Sequence, residues 1–169
     1  LFNTYNLNII HNPEFLSSNT AYTDIREQKH IVIGIPNNFK DNKLINNVID
    51  FYNKYYSDID ISILNSNESE LMKIGINSFY AVKIQYFNEI YNLCNKIGIS
   101  YDNVKNTMLK NNWINPMHTQ VPGTDGKLSY GGMCFPKDTN ALNEYLKKKE
   151  CYNGVLNSTI IEHNLMRKE

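Results

Sequence analysis

The sequence predicts an α/β segment followed by an all-α segment, and two observations divide it that way. Up to Asn65, apolar runs of strand length alternate with a helical pattern. After Asn65, every periodic stretch has helical spacing. The expected domains are therefore residues 1–65 and 66–169. The chain has 169 residues, 41% hydrophobic and 20% charged, so it can bury a core and wholesale disorder is not expected.

Each element follows from its own pattern. "YNLNIIHNPEF" alternates and then turns at Asn-Pro, which predicts a short strand ending near Ile10. "HIVIGIP" reads as a strand apolar enough to be buried in a sheet. Leu44, Val48, Phe51 and Tyr55 place a helix over Lys43 to Tyr56, and "DIDISILN" is a further strand. This alternation resembles the end of a parallel sheet. A long helix is expected from Glu68 to Lys96, capped by Ser66 or Asn67 and stopped by Gly98. On it Leu71, Phe79, Val82, Tyr86, Ile90 and Leu93 recur on one face. A shorter helix spans Tyr101 to Asn111, and an irregular stretch runs from Asn112 to Met133. A helix opening at Pro136 and running to Lys149 is next, with Pro tolerated in the first turn, and Val155 to Arg167 is the last.

Composition excludes several function classes. The formal net charge is zero, so there is no basic field for nucleic acid and no polybasic face for a membrane. No run approaches the roughly 20 apolar residues that span a bilayer. The N-terminus, "LFNTYNLNII", has no basic region or cleavage site of a secretory signal. It also has no initiator Met, which suggests further sequence upstream. Cys94, Cys134 and Cys151 are too few and too scattered for a disulfide framework or a zinc knuckle, so no metal is expected. Reduced thiols fit a cytoplasmic protein.

Three short stretches carry the chemistry. In "YGGMCFPKDTNAL", Cys134 would stand just before a helix, where unpaired N–H groups and the neighbouring Lys137 favour thiolate. Gly131 and Gly132 leave room for a ligand to approach. A buried structural cysteine beside a turn is the plainer alternative. In "ELMKIGIN", Lys73 and Asn77 share one helix face, and a cation beside an amide donor suits an oxyanion; a solvated surface is the alternative. In "HNPEFL", Glu14 follows a strand end, where a carboxylate can act as a base or simply form a turn. His118 could pair with Cys134 but reads better as a surface residue. Trp113 reads as an anchor in the core or at an interface, and Asp138 as a helix cap or a holder of water or a proton.

"NPEFL", "SELMKIGINSFYAVKIQYFNEI" and "GGMCFPKDTNAL", in this order and spacing, resemble the UDP-glucose/GDP-mannose dehydrogenase family. The resemblance covers Asn12 to about Glu162, and "GGMCFPKDT" is its most diagnostic part. It implies the last strands of a Rossmann-like parallel sheet joined to a central helical dimerisation domain. It implies NAD-dependent oxidation of a UDP-sugar, UDP-glucose first, from C6 alcohol to carboxylate. By resemblance Cys134 is the nucleophile, and Lys73 and Asn77 steady the oxygen at C6. Asp138 and Glu14 then serve hydrolysis and base chemistry, and Lys137 reaches the cofactor. It also implies a homodimer through the long helix. Ser17 and Ser18 depart from the family's pattern, Ser18 falling where a cofactor-contacting carboxylate would be. No G-x-G-x-x-G follows a strand, so the chain is expected to be partial and inactive alone, or a non-catalytic dimerisation module.

Overall fold

A computed structural model describes residues 5, 9–17, 19–37 and 39–167. Its elements are α1 (Ala21–Glu27), β1 (His30–Ile35), α2 (Asn42–Tyr55), β2 (Asp60–Asn65), α3 (Ser66–Ile97), α4 (Tyr101–Leu109), α5 (Cys134–Lys148) and α6 (Gly154–Met166). The α/β-then-helical order is therefore the one expected. The chain divides into two compact units, residues 1–73 and 74–169. Among the described residues, no helix is long and apolar enough to cross a membrane.

In the first unit, β1 and β2 pair in parallel, His30 opposite Asp60 through Ile35 opposite Asn65. A parallel pair needs a crossover, and α2 is that crossover. Asp41 caps α2, its carboxylate accepting from the amides of Lys43 and Leu44 at 3.0 and 3.2 Å. Ile31, Val32 and Ile33 of β1 are buried. The strand expected to end near Ile10 falls largely on residues outside those described. Just beyond its expected end, His11 forms a single antiparallel bridge with Gly34, with N–H···O distances of 2.8 and 2.7 Å. The Asn12 side chain extends this edge by donating to the carbonyl of Val32 at 2.7 Å. Helix α1 had no signal in the periodicity because none of its residues is buried.

The junction of β2 with α3 is a reciprocal cap. Asn65 Oδ1 accepts from the Glu68 amide, and a Glu68 side-chain oxygen accepts from the Asn65 amide, both at 3.0 Å. The cap therefore sits at Asn65 instead of Ser66 or Asn67. Gly34 lies under the first turn of α3. A Cβ built on it would stand 2.7 Å from Ser69 Cβ and 3.1 Å from His11 Cβ. His11 Nδ1 and Ser69 Oγ are 2.8 Å apart, closing the same contact.

In the second unit the core gathers Phe87, Cys94, Tyr101 and Val121, flanked by Ile90, Tyr91, Val104 and Met108. Here the long helix differs from the simplest reading of its periodicity. Its buried residues are Ser69, Asn77, Ser78, Ala81, Gln85, Phe87, Asn88 and Cys94, mostly small or amide side chains. Phe79, Tyr86 and Leu93, spaced by heptads, are 62%, 48% and 54% exposed. Gly98 ends the helix in the left-handed region, at φ +74°. Ser100 caps α4, accepting from the Asn103 amide at 3.2 Å. The irregular stretch after α4 is held by its polar groups. Tyr101 donates to the carbonyl of Thr119 at 2.5 Å, and Lys105 reaches Asp102 at 2.7 Å and Gln120 at 3.1 Å.

Gly34→Ala is expected to destabilise the chain by about 1–3 kcal/mol, because the new methyl meets the root of Ser69 and not a flexible tip. Urea denaturation of the variant beside the parent measures this; an unchanged midpoint would contradict the packing.

Candidate active site

Helix α5 starts at Cys134, two residues before the expected start at Pro136. The thiol therefore stands on the first helical residue, and it is exposed. A buried structural cysteine is thus the wrong description of Cys134; it fits Cys94. Pro136 falls within the first turn, where its missing N–H leaves no bond unmade. The cap residue Met133 contributes no side-chain hydrogen bond. The paired glycines have two different reasons. Gly132 has φ +75°, a conformation that favours glycine. Gly131 lies against the guanidinium of Arg167, where a Cβ would come within 2.6 Å of Cζ, Nη1 and Nη2. The space above Gly131 is thus filled by a side chain of this protein, where the sequence suggested room for a ligand.

Asp138 lies one turn beyond Cys134 on α5. It is 9% exposed and accepts a 2.6 Å hydrogen bond from the Asn77 side-chain amide. Its other oxygen is 3.2 Å from Lys137 Nζ. Asp138 therefore does not cap the helix; it joins α3 to α5. Asn77 is itself buried, so the solvated-surface alternative fails for it. Lys137 keeps 71% of its side chain exposed.

In the first unit, Lys73 Nζ donates to the main-chain carbonyl of Glu14 and stands 3.4 Å from its carboxylate. The same ammonium lies 5.2 Å above the centre of the Phe15 ring. The candidate residues thus form two groups, Glu14 with Lys73 in one unit and Asn77, Cys134, Lys137 and Asp138 in the other. Ser18 lies outside the described residues.

His118 is not a surface residue. It is half-buried, with its ring 4.7 Å from Tyr80 and 5.3 Å from Phe135 between centroids. Burial holds its pKa below the ordinary value, and the positive charge of Lys83 pushes the same way. No hydrogen bond joins it to Cys134 among the described residues. Trp113 is 88% exposed, which removes it from the core.

The sequence reading missed the amide face of α3. Gln85 accepts from the Ser129 hydroxyl at 2.7 Å, and Asn88 accepts from the Ser129 amide at 2.9 Å. Its signal was available as Asn77, Ala81, Gln85 and Asn88 at helical spacing. A dinucleotide would need a glycine-rich turn after a strand. Here β1 leads into Pro36 and β2 leads straight into α3. Neither described strand leads into a glycine-rich turn, and Lys137 offers an exposed cation beside the thiol's helix start.

Comparison with known proteins places these features in context. The profile of the UDP-glucose/GDP-mannose dehydrogenase family, central domain, matches residues 67–164. The UDP-glucose 6-dehydrogenase of Rickettsia bellii (strain RML369-C) is 33% identical over 164 residues, 94% of this chain and 33% of that protein. The UDP-glucose 6-dehydrogenase YwqF of Bacillus subtilis (strain 168) is 32% identical over 94% of this chain and 33% of its own length. The chain thus spans about a third of the length of the curated relatives it matches. A UDP-glucose dehydrogenase structure from Pyrobaculum islandicum superposes with a TM-score of 0.77 at 26% identity, over 92% of this chain and 33% of that one.

The depressed His118 pKa carries a pH dependence with a definite sign. A histidine whose folded pKa lies below its unfolded value favours folding while neutral. Its contribution is present above the ordinary 6.5 and is lost as pH falls through the folded value. An NMR titration is expected to place the imidazole midpoint below 6.5, and a midpoint at or above it would contradict the burial.

Proposed function

Because the chain belongs to the UDP-glucose/GDP-mannose dehydrogenase family, spanning its central domain, we propose that it carries the catalytic thiol of a nucleotide-sugar 6-dehydrogenase. The substrate in this reading is a UDP-sugar, UDP-glucose first, and the product is the C6 carboxylate. The observation that carries the reading is the Asn77–Asp138 hydrogen bond. It sets an amide and a buried carboxylate one turn from an exposed cysteine at a helix start.

The chemistry follows from these groups. Cys134 Sγ, as thiolate, adds to the C6 aldehyde and forms a thiohemiacetal. The negative charge that develops on the C6 oxygen needs a donor and a cation. Asn77 has two amide protons, of which the bond to Asp138 uses one, and Lys73 is the cation. Removing hydride from C6 of the thiohemiacetal leaves a thioester. Water then attacks the thioester carbon, releasing the carboxylate and restoring the thiol. Asp138 receives the proton of that water, and Glu14 serves as the second acid–base group. The hydride acceptor in this reading would be NAD, toward which Lys137 is the one candidate residue of this chain. In this reading the chain is partial and does not turn over alone.

The heptad-spaced Phe79, Tyr86 and Leu93 on the outer face of α3 support a homodimer formed through that helix. Three free cysteines support a reducing, cytoplasmic setting. The same exposed face also supports the second reading, a dimerisation module without catalysis.

Iodoacetamide labelling at neutral pH, resolved by peptide mass spectrometry, tests the thiol. Cys134 is expected to react faster than Cys151, and the C6 aldehyde of UDP-glucose is expected to protect it. If Cys134 reacts no faster than Cys151, which is also exposed, and gains no protection, the dimerisation module is the surviving reading. The purified chain with UDP-glucose and NAD is expected to form no NADH, and sustained NADH production would refute the partial-enzyme reading.

A further inference from the structure

We propose that Arg167 is a positioning residue for Cys134, an inference that rests on the reading of Cys134 as the nucleophile. Arg167 caps the C-terminal end of α6. Its side chain is only 12% exposed and forms an ion pair with Asp125. It donates to the carbonyl of Ser129 at 3.2 Å and, at the limit of bonding, to that of Leu128 at 3.5 Å. The planar guanidinium is suited to holding several acceptors at once, which a lysine ammonium does with less geometric control.

The guanidinium also fixes the backbone that leads into α5. Gly131 is not among the positive-φ glycines, which are Gly98, Gly126 and Gly132. Its lack of a side chain therefore serves space and not conformation. A Cβ would come within 2.6 Å of three guanidinium atoms. In the same loop, Ser129 is also tied to α3 through Asn88 and Gln85. The loop is thus held between α3 and the end of α6, three residues before the thiol. This hold matters because Met133 gives α5 no side-chain cap. The direction in which Cys134 enters the first turn is set by the loop and by Arg167.

The test is a double-mutant cycle read at the thiol. The ratio of Cys134 to Cys151 alkylation by iodoacetamide is measured across pH for the parent chain, Arg167→Ala, Arg167→Lys, Gly131→Ala and Arg167→Ala with Gly131→Ala. Thermal unfolding of each variant confirms that it is folded. Arg167→Ala and Gly131→Ala are each expected to change the ratio by at least about threefold. Gly131→Ala is expected to add little once Arg167 is gone, because the methyl then has room. The pH midpoint of Cys134 alkylation is expected to move while that of Cys151 stays. Arg167→Lys, which keeps the charge, is expected to fall between parent and Arg167→Ala.

An unchanged ratio in folded Arg167→Ala would overturn the proposal. So would an equal effect of Gly131→Ala in both backgrounds. If Arg167→Ala does not fold, the ratio and pH midpoint in Gly131→Ala and Arg167→Lys decide alone, and no change in either overturns it. The parent's own ratio tests the nucleophile reading separately, since the change on mutation is readable whichever cysteine reacts faster.

Discussion

The polar inner face of α3 is the constraint on which the helical unit depends. Asn77, Gln85 and Asn88 are buried, and buried amides must be hydrogen-bonded. Asn77 is satisfied by Asp138 of α5, Gln85 by the Ser129 hydroxyl and by Glu162 of α6 at 2.9 Å. Asn88 Oδ1 accepts from the Ser129 amide at 2.9 Å, and its Nδ2 donates one proton to the Ile84 carbonyl at 2.8 Å. Hydrophobic contacts tolerate sliding, whereas these directional bonds fix which turn of α3 meets which neighbour. They also explain the outer face. With Asn77, Ala81, Gln85, Phe87, Asn88 and Cys94 turned inward, Phe79, Tyr86 and Leu93 are left exposed.

The thiol inherits its position from this arrangement. Asp138 is anchored to α3, and Cys134 is one turn earlier on the same rigid helix. Ser129 is anchored to α3 as well, and Arg167 holds the stretch between Ser129 and the helix start. The cysteine is therefore exposed without being loosely held: the loop before it and the helix after it are both tied to buried groups. That combination suits a nucleophile, which needs access together with a fixed approach.

The first unit is built on a smaller interior. Its parallel pair buries Ile31, Val32 and Ile33, and the Gly34–Ser69–His11 contact joins strand, helix start and bridge at one point. An apolar cleft of about 350 Å³, lined by residues including Ile33, Leu44, Val48, Phe51 and Tyr52, remains between α2 and the sheet. Phe51 and Tyr55 of α2 stay largely exposed, although their spacing marked one helix face. Lys73 forms an ion pair with Glu14 at 3.4 Å, and both belong to this unit.

The sequence by itself determined the order of strands and helices and the long helix with its stop at Gly98, and it offered Cys134 with its candidate partners as an expectation. These depend on local rules, namely periodicity, glycine's access to positive φ, and residue types that suit a given chemistry. Tertiary structure decided which face of α3 is inside, because burial of amides depends on partners far along the chain that no window of sequence contains. It decided that α5 begins at Cys134, since a helix start without a side-chain cap is fixed by the loop before it. It also assigned the space over Gly131 to Arg167. A glycine records only that something comes close, and the identity of that neighbour is set by how the chain folds back on itself.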